Sequence, residues 1–166
     1  LRAVSARAFD AIVIGAGQSG PSLAGRLNGA GMTGALAERH LIGGTCVNTG
    51  CMPTKALVAS AYAAHLARRA ADYGVVVPEV GIDFPKAIAR AHQVTLNART
   101  NNENWLAGME RLTLYREHAR FEGPHTVRVG DALITAPRIF INVGGRADGP
   151  DFPGRGQGAH LRNHTH

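Results

Sequence analysis

The sequence predicts an α/β domain that opens on a βαβ unit and carries a small additional β-strand region. Three observations predict it. An apolar run, FDAIVIG at residues 9–15, reads as a buried strand and breaks at a glycine. A GAGQSG segment at residues 15–20 overlaps its end and leads into a helical stretch. A second strand-like run follows and ends on Glu38, 23 residues after Gly15.

Composition narrows the class. A chain of 166 residues is long enough for one domain with its own core. Hydrophobic residues make up 45% against 18% charged, which excludes disorder throughout. Aromatics reach only 5% beside 21 glycines, so closely approaching backbones are expected rather than a large aromatic core. The formal charge is +6, but the basic residues are scattered singly or in pairs such as Arg68 and Arg69. They lack the interleaved aromatics of a base-stacking platform, so no nucleic-acid partner is expected; the same field favours an anionic dinucleotide. No run approaches the ~18 apolar residues of a spanning helix, and no apolar secretory centre opens the chain. The expectations are therefore no membrane and a cytoplasmic location. The chain begins at Leu1 rather than Met, which leaves an upstream start or a trimmed chain open.

Along the chain, residues 1–8 read as a lead. A helix is expected over 17–27, with Pro21 in the first turn, where backbone donors have no helical partner anyway. Asn28 and Gly29 should end this helix or weaken its last turn. Residues 33–38 form the second strand, with Gly34 weakening its interior. Residues 43–50 read as a loop, Pro53 suits the first turn of the next helix, and residues 55–72 read helical on an apolar face of Leu57, Ala61, Ala64 and Ala67. Residues 75–77 extend the chain before Pro78 and Gly81. A further helix is expected over 84–106, its second half weakened by Asn97 and the asparagines between 101 and 104. Strands are expected at 112–115, 126–129, 132–135 and 138–143, the last running into Gly144 and Gly145. From Gly149 the periodicity disappears. The domain is accordingly placed at 9–148, with a flexible or divergent tail at 149–166.

Gly15, Gly17 and Gly20 satisfy GxGxxG at a strand-to-helix junction. The first glycine permits the tight turn, the second lets a pyrophosphate approach the backbone, and the third lets helix pack against strand. The helix start favours phosphate. Glu38 stands where a carboxylate can hold ribose hydroxyls; surface solvation is its plainer explanation.

Cys46 and Cys51 form the second chemical signal. Two cysteines do not make a disulfide scaffold. A regular helix would rise about 7.5 Å between them, beyond the usual Cα separation of a disulfide, so a bond requires a bent loop or distorted turn, which Asn48 and Gly50 allow. A small ring beside a nucleotide site fits reversible redox work, and a nearby helix start lowers a thiol pKa. Two isolated buried thiols remain an alternative. Zinc is another, although no second Cys pair or compact Cys/His set completes a site, and His160, His164 and His166 lie in the tail. No structural metal is expected.

At this point the chain resembles the FAD-containing pyridine nucleotide-disulfide oxidoreductases, the family of glutathione reductase, dihydrolipoyl dehydrogenase and mercuric reductase. The resemblance rests on GAGQSG at 15–20, Glu38, GGTCVNTGCMPTK at 43–55, HARF at 118–121 and INVGG at 141–145, and covers nearly all of residues 9–154. The wording of the first half looks closest to mercuric-reductase-like members. The resemblance implies a partial Rossmann-like FAD-binding domain. It implies that Cys46 is the interchange thiol, which meets the substrate, and Cys51 the flavin-proximal thiol. FAD-binding positions are Gly15, Ala16, Gly17, Gln18, Ser19, Gly20, Glu38, Arg39, Gly44, Thr45, Lys55, Ala119 and Gly144, with Lys55 beside the reactive flavin nitrogen and Ala119 near the adenine. His118 matches the adenine side and is expected to be structural. Cys46 and Cys51 could transiently take a soft metal as substrate.

The resemblance also implies electron flow from NAD(P)H through FAD and Cys46–Cys51 to a disulfide or Hg(II). Complete members carry an NAD(P)H domain and an interface domain that forms the homodimer, and neither has a recognisable counterpart in these 166 residues. The expectation is a fragment of the oxidoreductase without efficient NAD(P)H-dependent turnover by itself. The alternatives are a noncatalytic FAD-binding or fold remnant, and a small thiol-redox protein served by an external reductant.

Overall fold

The computed structural model describes residues 5–145 and Pro153. The expected tail and its histidines otherwise lie outside the described residues. The strands, in chain order, are β1 (Arg7–Ala8), β2 (Ala11–Ile14), β3 (Gly34–Ala37), β4 (Leu112–Tyr115), β5 (Ala119–Gly123), β6 (Thr126–Val129), β7 (Ala132–Thr135) and β8 (Ile139–Ile141). The helices are α1 (Ser19–Gly29), α2 (Gly44–Asn48), α3 (Cys51–Arg68) and α4 (Phe84–Ala107), with a 3-10 turn at Ala70–Tyr73. The chain is α/β with a Rossmann-like βαβ start and an added β region.

A parallel sheet in the order β4-β3-β2-β8 forms the centre. A second sheet, β1-β7-β6-β5, is antiparallel except where β1 runs parallel to β7. Every residue of β2 and β3 is buried, as expected of strands covered on both faces. Alternation divides them between two cores. Ile12, Ile14, Ala35 and Ala37 pack with Val127, Val129 and Ile134 of the second sheet. Ala11, Val13 and Leu36 pack on the other side with Ala24 and Leu27 of α1 and Leu106 of α4. Trp105 of α4 lies over Gly25, where a Cβ would come within 2.8 Å of the ring.

Several boundaries differ from the sequence reading. Residues 43–50, read as a loop, contain the one-turn α2, and α3 begins at Cys51 rather than Lys55. β5 and β1 had no strand signal. β5 is an edge strand without a buried residue, so no alternation marks it. The asparagines do not shorten α4. Its start is capped by the Asp83 carboxylate, which accepts from Lys86 N at 3.0 Å, and its end is pinned by buried Leu106. The last strand pairs only over Ile139–Ile141. Among the described residues, no helix is long and apolar enough to cross a membrane.

Candidate functional site

A cleft of about 870 Å³ opens at the carboxyl ends of the parallel strands. Its floor is the β2–α1 turn. Gly15 takes φ +101°, a conformation L side chains rarely adopt, and a Cβ there would run into the Asn142 carbonyl. A Cβ on Gly20 would strike the Gly15 carbonyl, so these two glycines let α1 pack down on the turn. Gly17 differs: the nearest atom to an added Cβ is Asn142 Nδ2 at 3.9 Å. No side chain caps the first turn of α1.

Glu38 follows β3 directly. Its Oε2 accepts from Ala16 N at 2.9 Å and its Oε1 from His40 N at 2.8 Å, which ties the end of β3 to the turn. A carboxylate offers about four lone-pair sites, so two bonds leave capacity for a ligand. Asn142, just past β8, closes the other side. Its Nδ2 donates to Gly15 O at 3.2 Å and its Oδ1 accepts from Ser19 Oγ at 2.5 Å. Asn142 is not among the site residues expected from the sequence; its signal there is a polar residue at the end of an apolar strand beside a glycine pair.

The segment carrying the cysteines forms a neighbouring wall. Gly43 N donates to Ala16 O at 2.8 Å, and Gly44 packs so closely on the turn that its Cβ would lie 2.8 Å from Gly17 Cα. Cys46 and Cys51 are joined as a disulfide with Cα atoms 4.6 Å apart. The distance is possible because the helix breaks between α2 and α3, at Thr49 and Gly50. A Cβ on Gly50 would sit 3.0 Å from Thr45 O, so the glycine serves the close approach. Asn48, earlier assigned only a share in the bend, donates from Nδ2 to Ile42 O at 3.0 Å and Gly44 O at 2.9 Å.

Of the residues expected from sequence, Gly15, Gly17, Gln18, Glu38, Arg39, Gly44, Thr45, Cys46, Ala119 and Gly144 line the cleft, together with His118. Ala16, Ser19, Gly20, Cys51 and Lys55 are not in its lining. Ala16 and Gly20 are buried in the turn, whereas Cys51 and Lys55 are exposed at the start of α3. No group of three or more His, Cys, Asp or Glu side chains is placed to hold a metal among the described residues.

A family model described as pyridine nucleotide-disulphide oxidoreductase matches residues 9–166. A glutathione reductase from Nostoc sp. (strain PCC 7120) is 35% identical over 148 residues, covering 88% of this chain and 32% of its own length. A dihydrolipoyl dehydrogenase from Chlorobaculum parvum is 35% identical over 145 residues, covering 84% and 31%. Among solved structures, a Cu(II) complex of the HOCl-induced flavoprotein disulfide reductase RclA from Escherichia coli is similar, with a TM-score of 0.69 and 34% identity. It covers 89% of this chain and 30% of its own. The chain spans about a third of the length of the curated relatives it matches.

Proposed function

The chain belongs to the pyridine nucleotide-disulphide oxidoreductase family, and from that premise we propose that it is the FAD-binding, redox-disulfide part of such an oxidoreductase. It binds FAD in the cleft and passes electrons through FAD and Cys46–Cys51 to a disulfide or Hg(II), with NAD(P)H the electron source in complete members rather than a substrate this chain turns over efficiently by itself. The observation that carries the reading is a disulfide built across a helix break, with Cys46 on the cleft wall. A merely structural crosslink has no need of that position.

The residues present fit a dinucleotide. A Cβ on Gly144, at φ +67°, would meet nothing within 4 Å, and one on Gly17 nothing closer than 3.9 Å, so both leave room for a ligand against the backbone. The uncapped first turn of α1 favours the pyrophosphate. Gly15 to Gly20 would hold it, Glu38 and Arg39 the ribose, Gly44 and Thr45 the opposite side, and Ala119 and Gly144 the ends of the site. Lys55, one turn after Cys51, would set its charge towards the flavin. When bound, FAD would supply the two-electron store between nicotinamide and disulfide.

The chain's own part begins once Cys46 and Cys51 are reduced. The Cys46 thiolate attacks one substrate sulfur, forming a mixed disulfide and expelling the other sulfur as a thiolate that takes a proton. Cys51 then attacks Cys46, restoring the Cys46–Cys51 bond and releasing the second thiol, so two electrons and two protons reach the substrate. The mercuric-reductase-like wording of the first half supports Hg(II) as the other acceptor, held by the two thiolates and reduced by the same two electrons. NAD(P)H and a second copy, as in complete members, are the further partners of this reading.

Titrating the purified chain with FAD tests it. Flavin fluorescence should quench to saturation at about one flavin per chain. No saturable binding by a chain shown to be folded by circular dichroism would leave a fold remnant in its place. The exposure of Cys51 favours a second reading, a thiol-redox protein reduced by an external dithiol; reversible disulfide exchange without flavin binding would select it.

A further inference from the structure

Neither cysteine-bearing helix is held only by its own residues. α2 is a single turn of five residues that begins with glycine, too short to be stable alone. Its clamp is Asn48, whose two amide hydrogens go to Ile42 O and Gly44 O. The amide oxygen receives Arg99 Nη1 from α4 at 3.2 Å. Only one orientation of the amide satisfies both sides, since its donors face carbonyls and its acceptor faces a guanidinium. Nine residues earlier on the same helix, Arg90 Nη1 donates to Ala56 O of α3 at 3.0 Å. Neither arginine is in an ion pair among the described residues. α4 thus grips the helix of Cys51 with one arginine and the helix of Cys46 with the other.

We propose that Arg99 is a positioning residue for the dithiol–disulfide couple: acting through Asn48, it fixes α2 on the α4 scaffold and so sets the effective concentration at which the Cys46 thiol meets Cys51. The inference rests on the redox reading of the pair, not on FAD. A looser α2 lowers that concentration and favours the dithiol.

The test is equilibration of the full chain with graded ratios of reduced and oxidised dithiothreitol. Two electrons and two protons pass from the dithiothreitol thiols to the protein disulfide as the dithiothreitol ring closes. Arg99→Met should shift the equilibrium towards the dithiol by about fivefold, the size of one lost hydrogen bond. Arg99→Lys, which keeps a donor, should stay within about twofold of the unsubstituted chain. Asn48→Ala, which removes the bonds to Ile42 O and Gly44 O as well as the Arg99 contact, should shift the equilibrium in the same direction and at least as far as Arg99→Met, and adding Arg99→Met to it should shift it no further. Arg26→Gln, at the far end of α1, should change nothing. If Arg99→Met does not fold, Arg99→Lys against Asn48→Ala supplies the comparison. An unchanged equilibrium in a folded Arg99→Met chain, a shift towards the disulfide, or additive effects of the two substitutions would overturn the proposal. An unsubstituted chain whose thiols do not interconvert would remove the redox reading and this inference together, whereas failure to bind FAD would leave this test standing.

Discussion

Two bends, one in the floor of the cleft and one in its neighbouring wall, hold their shape by different means. The β2–α1 turn is bent by glycine and locked by its immediate surroundings. Gly15 adopts φ +101°, Gly20 presses on the Gly15 carbonyl, and Glu38 and Asn142 bond to the backbone of the turn or of its flanks. The α2–α3 bend also contains glycine, but side chains from elsewhere hold it: Asn48 clasps its start, Arg99 reaches Asn48 from α4, and the disulfide spans the break. The first bend is set by sterics and has little freedom. The second joins a half-buried cysteine to an exposed one, both on helices outside the two sheets. In the proposed relay, cofactor binding falls to the first bend and thiol–disulfide chemistry to the second.

The contrast can be broken most forcefully at Gly15. Gly15→Val places a β-branched side chain at positive φ against the Asn142 carbonyl, and should destabilise the fold by about 3 kcal/mol as well as abolish flavin binding. Chemical denaturation measures the first effect and flavin fluorescence the second. A smaller effect is expected at Glu38. Glu38→Ala removes one part-buried and one exposed charge-assisted hydrogen bond along with the proposed ribose contact. FAD affinity should fall roughly tenfold to a hundredfold while the dithiothreitol equilibrium of the cysteines stays unchanged, which would show that the two bends act separately.

The smallest effect lies at the opposite end of the sheet. Asp10 accepts from Thr33 N at 2.7 Å and Thr33 Oγ1 at 2.8 Å. The backbone bond first, then the hydroxyl, lowers its pKa below the ordinary 3.8. A depressed folded-state pKa stabilises the fold above the unfolded value, and that contribution disappears as pH falls through the folded one. Asp10→Asn should therefore flatten the acid side of the stability profile below about pH 4. It should leave both FAD affinity and disulfide exchange unaltered.

The first bend was legible in sequence because its determinants are local. A strand ending at Gly15, glycines at fixed spacing and Glu38 at the close of β3 are all short-range signals. The second was legible in its chemistry but not in its form. α2 has too few residues and too much glycine to register as a helix, and the clamp that shapes it depends on Arg99, 51 residues from Asn48. Asn142 escaped for the same reason, since its partners Gly15 and Ser19 lie more than a hundred residues away in sequence. β6 was visible because alternate side chains reach the core and β7 because Ile134 does, whereas β5, exposed along its middle, left no pattern. The extent of α4 was legible to within one residue, and only the strength of its second half was in question, where tertiary packing at Leu106 outweighs the poor helix propensity of the asparagines.

Electron counting tests the coupling of the two bends most directly. Anaerobic dithionite titration of the FAD-loaded chain should consume about four electrons per chain, two at the flavin and two at the disulfide, and Cys46→Ser should reduce this to about two while flavin binding persists. Uptake of about two electrons by both chains, with FAD fully bound, would show that the Cys46–Cys51 pair does not exchange electrons with the cofactor and would contradict the proposed relay.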